Sequence, residues 1–236
     1  DGRIYTPSRN GKLANLKDFC ASVTDPERGW AVAEITRDLD LKAVKAGTVR
    51  KLVEARVDPE LFRLSYDYVG DLAETASLIW PAQHGANRAP TLTEVVETLE
   101  QTNRQAAPAV VERWFDALDA PDRWALIKLV TGGLRIGVAS RLVKRALADY
   151  GDVPVQEIEE LWHGLKAPYT DFFAWLEGRS EKPISAAAAP FRPVMLAHAI
   201  EEDDRAKVDL ATMAIEWKWD GIRVQAVREG DIARLY

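Results

Sequence analysis

From Leu13 to about Leu176 apolar residues recur at spacings of three and four with charged residues between them, the period of amphipathic helices that share a core. Punctuation along this stretch marks where helices begin. Asp25-Pro26-Glu27 and Asp58-Pro59-Glu60 each predict an N-cap followed by a first-turn proline, and Ala120-Pro121-Asp122 opens another segment carrying Trp124, Ile127 and Leu129. Trp80 to Pro90, broken by Pro81, Gly85 and Pro90, predicts a loop between helices. Residues 1–178 are therefore expected to form one all-helical domain. Composition changes from Gly178 to Pro190, where Gly-Arg-Ser-Glu-Lys-Pro precedes Ile184, Ser185 and an alanine run, so 179–190 is expected to be a linker. Over 191–236 the period switches to two. Ile215, Trp217 and Trp219 alternate with Glu216, Lys218 and Asp220, then Ile222, Val224 and Ala226 with Arg223, Gln225 and Val227. Arg228-Glu229-Gly230-Asp231 predicts a hairpin turn into Ile232 to Tyr236. The fold class expected is mainly α: a helical domain followed by the first strands of an α+β domain.

Composition narrows the function classes. The chain has 236 residues, 47% of them hydrophobic, enough for a real core. Its 37 acidic and 31 basic side chains leave a net charge of −6, so any surface for a polyanion has to be local. The one cysteine, Cys20, excludes an intramolecular disulfide framework, fits a reducing cytoplasmic setting, and reads as a buried apolar residue. His84, His163 and His198 lie far apart without ligand spacing, so no protein metal site is expected from them. No run of about eighteen apolar residues and no basic-then-apolar leader is present, so neither membrane insertion nor secretion is expected. The first residue, Asp1, points to processing or to a longer parent chain. Trp30, Trp80, Trp114, Trp124, Trp162 and Trp175 sit at helical positions and are assigned to the core.

Two stretches carry candidate chemistry. In Glu216-Trp217-Lys218-Trp219-Asp220-Gly221-Ile222-Arg223, strand alternation would put Glu216, Lys218 and, past the Asp220-Gly221 turn, Arg223 on one pocket, with Ile215, Trp217 and Ile222 against a core. A lysine attacks phosphorus only as the neutral amine, so its pKa must fall below about 10.4 through neighbouring cations or desolvation. Gly221 would let the backbone turn tightly, and the planar fork of Arg223 suits ribose or phosphate oxygens. Between Lys128 and Arg145 five basic residues, Lys128, Arg135, Arg141, Lys144 and Arg145, occur with no acidic one. Gly132, Gly133 and Gly137 expose backbone N–H groups just before a helix expected to start near Ala139 or Ser140, an arrangement that holds phosphate.

The Lys-x-Asp-Gly-x-Arg frame resembles the nucleotidyl-acceptor motif of ATP-dependent DNA ligases and capping enzymes. Pro193-Val194-Met195-Leu196-Ala197, about twenty residues upstream, resembles the segment opening the ligase nucleotidyltransferase domain. Leu129 to Ala139 is similar to the glycine-rich loop and following helix of the ligases' N-terminal DNA-binding domain, and Tyr66 to Leu72 also looks family-like, in a packing role. The resemblance to bacterial ATP-dependent DNA ligases covers this whole chain but only the front of a ligase. It implies a helical DNA-binding domain joined to the start of an adenylation domain. Lys218 would be the catalytic nucleophile, Glu216 would recognise adenine, and Arg223 would contact the nucleotide. Gly132, Gly133, Arg135, Gly137, Arg141 and Lys144 would contact DNA. ATP and Mg2+ would be the cofactors, nicked duplex DNA the partner, and a monomer the working form. The metal-binding glutamate, the paired lysines and the OB-fold would lie outside these 236 residues. A capping-type guanylyltransferase shares the lysine frame, and a non-catalytic helical DNA-binding or scaffold module is the alternative from another class.

Overall fold

The computed structural model describes residues 8–81, 83, 85, 88–134, 136–184, 188–192, 194, 197–222 and 224–236. The helices are α1 (Arg9–Ser22), α2 (Glu27–Thr36), α3 (Ala46–Glu54), α4 (Pro59–Val69), α5 (Leu72–Ile79), α6 (Leu92–Gln101), α7 (Ala107–Ala117), α8 (Ala120–Val130), α9 (Ser140–Gly151), α10 (Val155–Trp162) and α11 (Thr170–Leu176). A short 3-10 helix (Glu202–Lys207) and the strands β1 (Ala226–Glu229) and β2 (Ile232–Leu235) follow. The mainly helical class read from the period is what the structure has.

Side chains cap five of these helices, α1, α4, α5, α6 and α8. Asp58 accepts from the N–H groups of Glu60 and Leu61 at 3.0 and 2.9 Å, with Pro59 in the first turn. Asp119 caps α8 through the N–H of Asp122 at 3.0 Å, and Thr91 with Glu94 forms a reciprocal capping box on α6. Each such cap stabilises its helix by about 1 kcal/mol. Asp25 departs from expectation. Pro26 occupies the α2 cap position in a helical conformation, and Asp25 instead takes the Nε and Nη2 of Arg28, each at 2.8 Å. A carboxylate facing a buried guanidinium gains more from that two-point pairing than from one backbone N–H.

The described residues divide into two compact units, one from Asp1–Val155 with Lys166–Pro183, the other from Gln156–Leu165 with Ile184–Tyr236. In the first, one core gathers Val49 and Val53 of α3, Phe62 of α4, Ala76 of α5, Val95 of α6, Phe115 of α7 and Ile127 of α8. Trp80 meets Phe115 edge-on at 5.2 Å, while its indole N–H reaches Asp116 at 2.9 Å. Trp30 is also buried in this unit, and Trp114 and Trp124 are partly buried against this core; Trp162, buried as well, belongs to the second unit. Buried Arg123 donates to the carbonyls of Phe115, Leu118 and Ser77 at 2.9, 2.6 and 2.6 Å, which satisfies helix-end acceptors that the core would otherwise strand. Around α9 a further layer forms from Leu16 and Cys20 of α1, Val32 of α2, and Phe172 and Phe173 of α11. Burial pushes the Cys20 thiol up to about 11, in keeping with an inert packing residue. At Gly29 a Cβ would lie 1.6 Å from the Pro168 carbonyl oxygen, so α2 approaches that backbone where no side chain fits.

In the second unit β1 and β2 form the expected hairpin, Glu229 opposite Ile232, with Gly230 at φ +58° in its two-residue turn. Gln225 and Tyr236 extend the ladder by exchanging backbone bonds of 2.9 Å. Residues before the hairpin are fastened to it: Tyr236 Oη donates to the Ala189 carbonyl at 2.8 Å, and the Ala189 N–H donates to Glu229 at 2.7 Å. The period-two stretch ahead of the hairpin is a correction. Residues 215–219 are not a strand, and Trp217, Trp219 and Ile222 are 85%, 82% and 94% exposed instead of facing a core. Alternation becomes a strand only when a neighbour takes its backbone bonds and covers its apolar face, and among the described residues only β1 and β2 pair.

Glu34, buried on α2, has its carboxyl pushed up to about 7 by that burial, with Arg37 pulling weakly the other way. A carboxyl whose folded value exceeds its unfolded value of 4.5 contributes stability that is complete below that value and is lost as pH rises through about 7. Glu34→Gln cannot ionise. Denaturant unfolding near pH 5 and pH 8 should therefore show a decline smaller, by on the order of 2 kcal/mol, in the variant than in the wild type.

Candidate nucleic-acid interface

The glycine-rich segment joins two helices whose ends it shapes. At the end of α8, Thr131 Oγ1 donates to the Ile127 carbonyl at 2.6 Å and the Gly133 N–H to the Lys128 carbonyl at 2.8 Å. Gly132 makes this possible at φ +66°, the left-handed geometry that closes helices. Gly137 also has φ +66°, and its carbonyl accepts from Lys12 Nζ of α1 at 2.7 Å. α9 then starts at Ser140, where expected, behind Ala139, which makes no side-chain cap bond. Gly132, Gly137 and Arg141 are exposed, while Gly133 and Lys144 are half-buried. These five residues therefore gather on one loop and the first turns of α9. Arg135 lies outside the described residues.

Two basic residues of the expected patch are committed elsewhere. Lys128 hydrogen-bonds Asp71 and sits 5.7 Å from the Trp124 ring centroid. Burial raises the Asp71 carboxyl, but hydrogen bonds from Lys128 and the α5 backbone outweigh it and leave the group below its usual value. Arg145 Nε bonds Asp149 one turn along α9 at 2.9 Å. The patch is thus narrower than counting bases between Lys128 and Arg145 implied. The Arg145–Asp149 spacing was readable as a four-residue helix pair. Lys12 was not: it lies 125 positions from Gly137 in sequence, and helical period says nothing of which distant helix a loop meets. In the family-like segment, Asp71 caps α5, Gly70 ends α4 at φ +76°, and Tyr66 packs under Arg50 at 4.2 Å, whereas Tyr68 is 93% exposed.

The lysine frame is in the second unit. Glu216, Lys218 and Asp220 are exposed, and Arg223 lies outside the described residues. The chain bends at Asp220-Gly221, but Gly221 has open space where a Cβ would stand and no left-handed φ, so this bend does not depend on glycine. Of Pro193 to Ala197, only Val194 and Ala197 are described, both exposed. Glu216 and Lys218 are therefore near each other in sequence without a shared pocket wall. Among the described residues no group of three or more histidine, cysteine, aspartate or glutamate side chains is placed to hold a metal ion. Nor is any helix among them long and apolar enough to cross a membrane.

Residues 40–148 match the family described as "DNA ligase N terminus". A "Probable DNA ligase" of Anaeromyxobacter dehalogenans (strain 2CP-C) is 26% identical over 98% of this chain and 42% of its own length. A "Probable DNA ligase" of Nocardia farcinica is 26% identical over 96% of the chain and 40% of its own length. A "DNA ligase" of Methanococcoides burtonii is 31% identical over 52% of the chain and 22% of its own length. Even where the match runs nearly end to end, the chain spans only about two fifths of these relatives, 42% and 40%.

Proposed function

We propose that this chain, whose residues 40–148 match the family described as "DNA ligase N terminus", is the DNA-gripping front part of an ATP-dependent ligase that seals nicks in duplex DNA. The observation that carries the DNA reading is the loop that exposes Gly132 and Gly137, is tethered by Lys12 at Gly137 and leads directly into α9 with Arg141 and Lys144. The N–H groups of Gly132 and Gly133 close α8 on the carbonyls of Leu129 and Lys128, against the expectation that they stand exposed, so phosphate would be held by the first N–H groups of α9 with Arg141 and Lys144, irrespective of base sequence, as a nick sealer requires.

In the chemistry, Lys218 Nζ attacks the α-phosphorus of ATP, a P–N bond forms, pyrophosphate leaves, and the amine gives up a proton. AMP passes to a 5′-phosphate at the nick, and the adjacent 3′-hydroxyl displaces AMP to form the phosphodiester. Glu216 serves adenine recognition and Arg223 the nucleotide, and a monomer suffices. Magnesium would neutralise triphosphate charge, but the described residues offer it no cluster and no step here runs through it. Because Lys218 stands exposed without a surrounding wall, the 236 residues by themselves should take up little or no AMP from labelled ATP. Preferential labelling from GTP would instead favour a capping-type enzyme.

Gel shifts of the chain on nicked duplex test the grip. Binding should be insensitive to sequence, should weaken as salt rises, and should fall about tenfold in Arg141→Ala with Lys144→Ala. Absence of binding at low salt, or wild-type affinity in the double variant, would remove this face as the interface.

A further inference from the structure

A cavity of about 590 Å³ lies within the helical unit, between α1, α2, α6 and α8, and the loop from α8 to α9 borders it through Leu134, Ile136 and Val138. The volume falls in the range of small-molecule sites, about 300–1,000 Å³. Its walls are mostly apolar, with Phe19, Ile35 and Leu129 among them, so an apolar body gains from entering. Three charged groups are on its lining, and they are in different situations. Asp122 is exposed to water at the start of α8. Lys12 already gives its ammonium to the Gly137 carbonyl. Glu34 is 9% exposed, and among the described residues its carboxylate has no hydrogen-bond or ion-pair partner.

A carboxylate held this way is costly when ionised, since it has lost most of its contact with water and gained no hydrogen-bond donor, with only the charge of Arg37 in its favour. Its elevated value, about 7, reflects that cost. A neutral apolar guest would leave the cost in place. An anion would add repulsion to it. A guest bearing one cationic N–H group removes it, because a charge-assisted hydrogen bond to Glu34 replaces the lost water. We infer that this cavity is a binding site for a small apolar molecule carrying a single protonated amine, with Glu34 as the acceptor of that amine. Three of its bordering residues belong to the loop that leads into α9, so the occupant would be seated under that loop.

The probes are 4-phenylbenzylamine and its neutral counterpart 4-phenylbenzyl alcohol, titrated calorimetrically into the 236-residue chain near pH 8, above the Glu34 value. The amine should bind at least about tenfold more tightly than the alcohol. Glu34→Gln should bring the two affinities together while leaving alcohol binding in place. Ala31→Phe, which adds bulk on the α2 wall, should weaken both about tenfold, with helical circular dichroism confirming the fold. No amine binding by the wild type, equal affinities for the two probes, or an amine preference that survives Glu34→Gln would overturn the proposal. So would unchanged binding in a folded Ala31→Phe. If Ala31→Phe does not fold, the Glu34→Gln comparison decides.

Discussion

On the function proposed above, Lys218→Ala in the full-length protein is expected to reduce AMP attachment from labelled ATP by a thousandfold or more, on the order of what removing a covalent nucleophile costs. The adduct needs a nitrogen lone pair at one place on the chain, and no neighbour in Glu216 to Arg223 supplies another amine. Lys218→Arg should be equally inactive, because a guanidinium stays protonated and offers no free pair. Binding to nicked duplex by the same variants should remain at wild-type strength, since the proposed grip is on the α8–α9 loop and on α9. That split between lost labelling and retained binding separates a chemical role from a folding defect. Normal labelling of Lys218→Ala would remove it as the nucleophile.

The largest expected loss of stability is at Arg28. Its guanidinium is 4% exposed, bonds both oxygens of Asp25, reaches the Cys20 carbonyl at 2.9 Å and the Tyr150 hydroxyl at 3.3 Å, pairs with Glu177, and lies 4.2 Å from the Phe173 ring centroid. One side chain thereby joins α1, α2, α9 and the end of α11. Arg28→Met keeps much of the volume but leaves Asp25 and Glu177 in a half-closed site with only the more exposed Arg179 as a cation, which costs about 3–5 kcal/mol. Denaturant midpoints measure it. The acid side gives an independent check. Hydrogen bonding from Arg28 holds the Glu177 carboxyl down at about 2 despite burial, with Arg179 and Tyr150 adding to the effect. A depressed folded value contributes stability above the unfolded value of 4.5, and that stability is lost as pH falls toward about 2. The wild type should weaken over this window and Arg28→Met should do so less steeply. An unchanged midpoint in the variant would contradict this account of the cluster.

The helical half was legible because its signals are local. Asp58, Thr91 and Asp119 act within a turn of themselves, and period separates the buried from the exposed face of α3 or α9 without knowledge of the partner. The Gly230 turn was readable for the same reason. What failed depended on distant company. Alternation at Ile215 to Trp219 says which residues would share a face but does not provide the neighbouring strand, and Asp25 was read as a cap because Arg28's burial is a tertiary fact. In the candidate site, the positions of Gly132, Gly137 and the start of α9 were foreseeable from their spacing. The withdrawal of Lys128 to Asp71 and the arrival of Lys12 were not, since both join segments far apart in the chain.

The bond from Lys12 to Gly137 has a practical corollary for dissecting the protein. The span matched by the ligase family, 40–148, begins after α1 and α2 and stops before α9 ends and α11 begins. Those flanking helices cover Val143 and Leu147 of α9, and α1 also carries the lysine that pins the loop. A boundary drawn from sequence kinship is thus not a folding boundary. The smallest piece that keeps the loop in place must start by Ser8, which caps α1, and run through Glu177.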